Sequence, residues 1–230
     1  MSDHVRDLAS VRGATERLLT AASTWDNSTV PEPSLLPGWS RGHVLAHLSR
    51  NADALRNVLR GRPMYASGEI RDRDIEAGAP RSLAEHLADL RASGERFLAQ
   101  GAASADWSRT VELRGGVTDL ASRVPFRRWA EVELHHVDLG AGYELEDLPE
   151  EFVLRETDFL ADRFQDHPTL GPIRFAADDG RVRTTGGGRA DAPPVEVRGP
   201  APELLGWLSG RRDGSALTAE GGPLPVLPPL

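Results

Sequence analysis

The stretch Val124–Tyr143, VPFRRWAEVELHHVDLGAGY, decides how this chain is read. Its apolar residues have helical spacing, and a stop near Gly140 fits the preference for glycine just past a helix C-terminus. Glu131 and His135 are four residues apart, so a helix places a carboxylate and an imidazole on one face, one turn apart. Taken alone, such a pair is weak evidence for a ligand site, since a solvated ion pair on an exposed helix is its ordinary reading. Asp138 follows three residues later and can either orient His135 through a hydrogen bond or simply end the helix. His136 is turned about 100° from His135 around the axis and is expected to pack elsewhere.

Upstream, Leu8, Val11, Leu18, Leu19 and Ala22 give Asp7–Thr24 one buried helical face. The segment NSTVPEPSLLPGWS is rich in proline and serine and is expected to be a loop, with Ser40 capping a second helix that runs to about Arg60. On that helix Val44, Leu48, Leu55, Val58 and Leu59 form an apolar stripe, while His43, His47 and Asn51 recur along a neighbouring face. A polar connection, GRPMYASGEIRDRDIEAGAPR, leads to a third helix near Ser82, which has capping-box spacing with Glu85. RGGVTDLASR reads as a Gly-rich turn, and Val124–Tyr143 supplies the fourth helix of a bundle.

The composition changes after Leu148. A helix over EEFVLRETDFLADRF precedes β-like stretches IRFAA and RVRTT, joined in hairpin fashion through Asp178, Asp179 and Gly180. PVEVRG is a third strand, and APELLGWLSGRR a helix with Pro202 in its first turn. The Pro- and Gly-rich tail has no regular structure expected of it, and the glycines at 186–188 read as a turn. The fold class is therefore α+β, with a helical bundle at residues 1–148 and a small α/β domain at 149–230.

Composition narrows the function. A chain of 230 residues with 39% apolar and 27% charged residues is globular. It has no run of about 18 apolar residues to span a bilayer, and MSDHVRDLASVRG lacks the apolar core of a signal peptide. A cytoplasmic location is expected. A net charge of −8 disfavours nucleic-acid and anionic-membrane partners. The absence of cysteine excludes disulfides, thiolate ligands and a cysteine nucleophile, so any thiol chemistry must use an external thiol. No GxSxG elbow, Walker A loop or dinucleotide fingerprint is present.

Two helices that each offer imidazoles suit a metal site in a bundle core. Nitrogen and oxygen ligands without cysteine suit zinc or another first-row divalent ion, and a position left open suits catalysis. His43 and His47 are rivals for the ligand on the second helix, since both stand on one face. Arg211 and Arg212, in WLSGRRDGS, can grip a carboxylate as planar forks or close a helix C-terminus.

LLPGWSRGHVLAHLSRNADAL together with RWAEVELHHVDLG resembles the mycothiol-dependent maleylpyruvate isomerases, a branch of the DinB-like helical-bundle superfamily. The loop RGRPMYASGEIRDRDIEAGA and the segment LLGWLSGRRDGSAL extend the resemblance over nearly the whole chain. It implies a zinc ion held by His47, Glu131 and His135, with His43 remaining the rival of His47, and Arg211 and Arg212 in the substrate region. It also implies mycothiol as cosubstrate and conversion of maleylpyruvate to fumarylpyruvate in gentisate breakdown. The alternatives are a metal-dependent mycothiol S-transferase acting on another electrophile, and a non-enzymatic protein that binds a small molecule or a partner.

Overall fold

The computed structural model describes residues 3–104, 106–189 and 191–229. They fall into two compact units, Met1–Tyr143 and Glu144–Leu230.

In the first unit, α1 (Asp3–Ala22) buries Val11, Ala14, Leu18 and Ala22. A loop then leads to α2 (Arg41–Leu59), whose start is fixed by a reciprocal cap. The Ser40 hydroxyl accepts from the His43 N–H, and the His43 ring accepts from the Ser40 N–H. The segment expected to be a connection contains a helix, α3 (Gly68–Gly78). Its large apolar residues are only Ile70 and Ile75, too few for a periodic signal. The Ser67 hydroxyl nonetheless caps it at the Ile70 N–H. Next, α4 (Leu83–Ala103) begins at the Ser82 and Glu85 capping box that the spacing suggested.

The Gly-rich turn is more than a turn. It is the end of a hairpin between β1 (Thr110–Glu112) and β2 (Thr118–Leu120), strands too short to be visible as alternation. The unit ends with α5 (Val124–Asp138), which has Pro125 in its first turn and Gly140 just beyond its end at φ 61°. The four long helices close a ring: α1 packs on α5 and α4, and α2 packs on the same two. α3 lies against α2.

In the second unit, α6 (Glu150–Phe164) is followed by β3 (Ile173–Ala177), β4 (Val182–Thr185), β5 (Val195–Gly199), α7 (Ala201–Leu208) and β6 (Thr218–Glu220). The sheet order is β4-β3-β5-β6, with β3 and β5 parallel and the two outer pairings antiparallel. Phe175 of β3 stands opposite Arg183 on one side and Val197 on the other. The β3–β4 hairpin turns at Gly180, at φ 88°, as the Asp-Asp-Gly sequence suggested. β6 was not foreseen; its three residues precede the proline-rich tail and add an edge to β5. Phe152, Leu160, Phe164, Ile173, Phe175, Val197 and Leu205 are buried in this unit. The α+β class, a four-helix bundle with a small mixed sheet unit, is the one the sequence led us to expect. Among the described residues no helix is long and apolar enough to cross a membrane.

One close approach holds α2 and α3 in place. A Cβ on Gly42 would stand 2.2 Å from the Ala79 carbonyl oxygen and 2.9 Å from a Val30 methyl. Gly42→Ala must therefore displace backbone, and we expect a loss of about 1–3 kcal/mol of stability. Gly68→Ala meets nothing within 4 Å at the start of α3 and is expected to be neutral or stabilising by up to about 1 kcal/mol. Urea midpoints of the two variants check the pair, and equal midpoints would contradict the close-approach account.

Candidate metal centre

His47 lies on the buried side of α2, and Glu131 and His135 lie one turn apart on α5. Packing of these two helices brings the three side chains together. Nε2 of His47 is 3.0 Å from Oε2 of Glu131, and Nε2 of His135 is 3.3 Å from the same oxygen. The three ligand atoms lie within 4.8 Å of one another. The His47 and His135 rings meet edge to face, with centroids 4.7 Å apart, and the Trp39 ring lies 5.5 Å from that of His47. His47 is buried, whereas the His135 and Glu131 side chains keep 16% and 32% of their exposure. The cluster is thus partly accessible through Glu131 and His135.

The surroundings select the form each ligand takes. Nδ1 of His135 is 2.8 Å from the buried Asp138 carboxylate, so its Nδ1–H donates there, and Nε2 is the nitrogen that faces Glu131 and would be free for a cation once it gives up its proton. Burial pushes the Glu131 carboxyl up, but hydrogen bonds from His135 and His47 outweigh this and hold it well below the usual carboxylate range. Burial pulls His47 down against the opposing Glu131 bond, favouring the neutral ring. His135 is also lowered by burial, yet Asp138 and Glu131 raise it overall.

A carboxylate oxygen flanked by two Nε2 atoms requires positive charge between them, either protons or a cation. Two imidazoles and a carboxylate, with one imidazole N–H anchored on an acid, form the donor set of a catalytic zinc site with an open position. The residues present fit a divalent ion of this class.

His43 does not join the cluster. One of its nitrogens is engaged by Ser40 at the start of α2, and the other is 3.3 Å from Glu76 of α3. Both ring nitrogens of His43 thus have partners outside the cluster. His136 is buried and stacks on Tyr143 at 3.9 Å. Arg211 and Arg212 lie in the second unit, and both backbone N–H groups donate to the Gly206 carbonyl at the end of α7. The Arg212 guanidinium is paired with Glu146 and Glu203, and an Arg211 Nη1 donates to the Ser209 carbonyl.

Three neighbours of the cluster had no signal in the sequence. Arg128, one turn before Glu131, is completely buried. Arg71 of α3 places an Nη2 atom 3.3 Å from Nδ1 of His47. Tyr65 precedes α3, and the Arg71 guanidinium carbon lies 6.0 Å from the centre of its ring. The Ser67 cap, with Glu69 after it, was the one local sign that Arg71 belongs to a helix.

With this geometry established, comparisons with known proteins bear on it directly. Residues 11–140 match the family model described as the mycothiol maleylpyruvate isomerase N-terminal domain, and residues 147–229 match the MDMPI C-terminal domain. A solved mycothiol-dependent maleylpyruvate isomerase superposes with a TM-score of 0.88 at 26% identity, covering 99% of this chain and 97% of that one. A histidine-to-alanine mutant of a mycothiol-dependent maleylpyruvate isomerase gives 0.87 at 25% identity, with the same coverage. Among curated proteins no sequence matches this chain. The two domain models account for almost the whole length, and the chain belongs to the mycothiol maleylpyruvate isomerase family.

Proposed function

We propose that this protein is a metal-dependent isomerase that converts maleylpyruvate to fumarylpyruvate with mycothiol as cosubstrate, in the cytoplasm. The observation that carries the reading is the convergence of His47, Glu131 and His135 in a chain matched by both domains of this family.

In this reading His47, Glu131 and His135 hold the cation, zinc by the chemistry of the donors. A divalent ion so held lowers the pKa of a thiol bound beside it. The thiol supplies a nucleophile that a chain without cysteine lacks; its addition leaves a rotatable single bond, and its loss restores the double bond in the trans form. Asp138 fixes the tautomer of His135, and Trp39 packs against the His47 ring. Arg211 and Arg212 enter this reading as substrate contacts through the family resemblance. The pairing of Arg212 with Glu146 and Glu203 supports a helix-closing role for that residue as well.

The direct test is to incubate the protein with maleylpyruvate, with and without mycothiol, and follow fumarylpyruvate. Product is expected only with the thiol. Full activity in thiol-free buffer would contradict the reading, and a stable mycothiol adduct without fumarylpyruvate would favour an S-transferase.

Metal content supplies a second test. His47→Ala, Glu131→Gln and His135→Ala should each lower bound zinc well below one ion per chain, and wild-type content in all three would remove the site. Asp138→Asn should weaken zinc binding by roughly 10- to 100-fold, because the amide no longer demands the Nδ1–H tautomer of His135. For the C-terminal pair, Lys replacement keeps the charge but removes the planar fork. Loss of roughly 10- to 100-fold in kcat/KM in Arg211→Lys or Arg212→Lys, at unchanged zinc content, would place that residue on substrate. Full activity in both would leave them closing α7.

A further inference from the structure

Arg71 makes an unusual partner for a histidine that binds a metal. Such histidines ordinarily donate their second ring N–H to a carboxylate, carbonyl or water, as His135 does to Asp138. A guanidinium has no acceptor. The 3.3 Å contact between Arg71 Nη2 and His47 Nδ1 is therefore a hydrogen bond only while Nδ1 keeps its lone pair and Nε2 carries the proton toward Glu131.

When Nε2 gives its lone pair to a cation, the ring proton sits on Nδ1. Two donors, one of them fully charged, then face each other, and an acceptor between them relieves the conflict. An anionic oxygen does so best, through charge-assisted hydrogen bonds.

The surroundings favour such a guest. Arg71 keeps only 12% side-chain exposure, with Nη1 held by Asp72 at 2.6 Å, so its position is largely fixed before a ligand arrives. It also stands beside Tyr65, its guanidinium carbon 6.0 Å from the ring centre. Burial raises Tyr65 above the usual phenol range, so it remains a proton donor at neutral pH. Arg114 and Arg128 add positive charge around Tyr65. All these groups belong to the N-terminal unit.

We propose that Arg71, assisted by Tyr65, is the subsite for a substrate carboxylate beside His47, and that a cation on His47 readies it by releasing the Arg71 donor. The proposal rests on the isomerase reading and names the group that grips one carboxylate of the dianion. It gives α3, otherwise a short helix against the outside of α2, a reason to be where it is.

The test uses maleate, a cis dicarboxylate, titrated calorimetrically into zinc-loaded and metal-free protein with no thiol present. Zinc-loaded wild type should bind maleate at least about tenfold more tightly than the metal-free protein. Arg71→Gln should weaken binding to the zinc-loaded form by roughly 10- to 100-fold at wild-type zinc content, with Arg71→Lys recovering part of the loss. Tyr65→Phe should weaken it less. Arg73→Gln, at a side chain 71% exposed on the same helix, serves as the control and should change nothing. In turnover, Arg71→Gln should raise KM for maleylpyruvate by a similar factor and leave KM for mycothiol near wild type.

Wild-type maleate affinity in Arg71→Gln, or loss of zinc from that variant, would overturn the proposal; the second outcome would make Arg71 a support for His47. If the wild type fails to isomerise maleylpyruvate but binds maleate through Arg71, the isomerase reading fails and the anion subsite stands. Turnover with an unchanged KM in Arg71→Gln separates the two in the opposite sense.

Discussion

Arg128 carries a guanidinium into the middle of the helical bundle, and the spacing of the candidate ligands depends on what it touches there. Its Nη1 donates to the Leu48 carbonyl at 2.9 Å and to Oδ1 of Asn51 at 2.8 Å. Leu48 follows His47 on α2, and Arg128 precedes Glu131 by one turn on α5, so this bond joins the two helices next to both halves of the ligand set. Charge burial of this kind is expensive. Desolvation pulls Arg128 down to about 10, with Glu131, Tyr65 and Asp53 opposing the fall, and the group stays charged at neutral pH. Among the described residues its buried Nε and Nη2 have no hydrogen-bond partner. An apolar residue would pack there with less penalty but would not fix the register of α5 against α2 through a directional bond.

That register decides the electrostatics of the cluster. Glu131 receives two imidazole Nε2 atoms on a single oxygen, an arrangement that is repulsive unless positive charge lies between them. Asp138 determines which nitrogen of His135 is free, and Arg71 does the same for His47 in the opposite sense. One histidine thus holds its Nδ1 proton where binding a metal through Nε2 would require it, and the other would have to move its proton from Nε2 to Nδ1. The second carboxylate on α5, Glu133, is kept apart on the far side of the helix by Arg17, Trp129 and Tyr143. Two acids two residues apart therefore serve different ends because a helix turns them to different neighbours.

Most of the architecture could be read from the sequence because it was written in strong local signals. Ser40, and Ser82 with Glu85, marked helix starts; Gly140 marked an end; Asp178 to Gly180 marked the hairpin. The spacing of Glu131 and His135 put them on one face, but nothing local chose between His43 and His47. In the structure the His43 ring is taken up by the Ser40 cap and by Glu76 of α3, a partner on another helix that spacing does not reveal. What escaped notice had short or weakly apolar sequence. α3 has two isoleucines among alternating charges, and β1, β2 and β6 are too brief for a period of two to be seen. Arg128 and Arg71 carried no signal, since neither burial nor a partner on another helix leaves a trace in composition.

The same blindness explains why overall charge is a poor guide to the ligand here. A net charge of −8 suggests repulsion of a dianion, yet many carboxylates are paired locally with arginines on the outer faces, as Asp53 is with Arg96 and Asp158 with Arg183. Such exposed pairs are screened within about one Debye length and contribute little field at the cluster. Arg71 and Arg128 are shielded from solvent and act at short range in a lower dielectric, where each counts for more. The potential an incoming anion meets at His47 and Glu131 is set by these few sheltered cations and by any metal ion bound there. A chain that is acidic as a whole can therefore receive an anionic substrate, provided its cations are the charges that are buried.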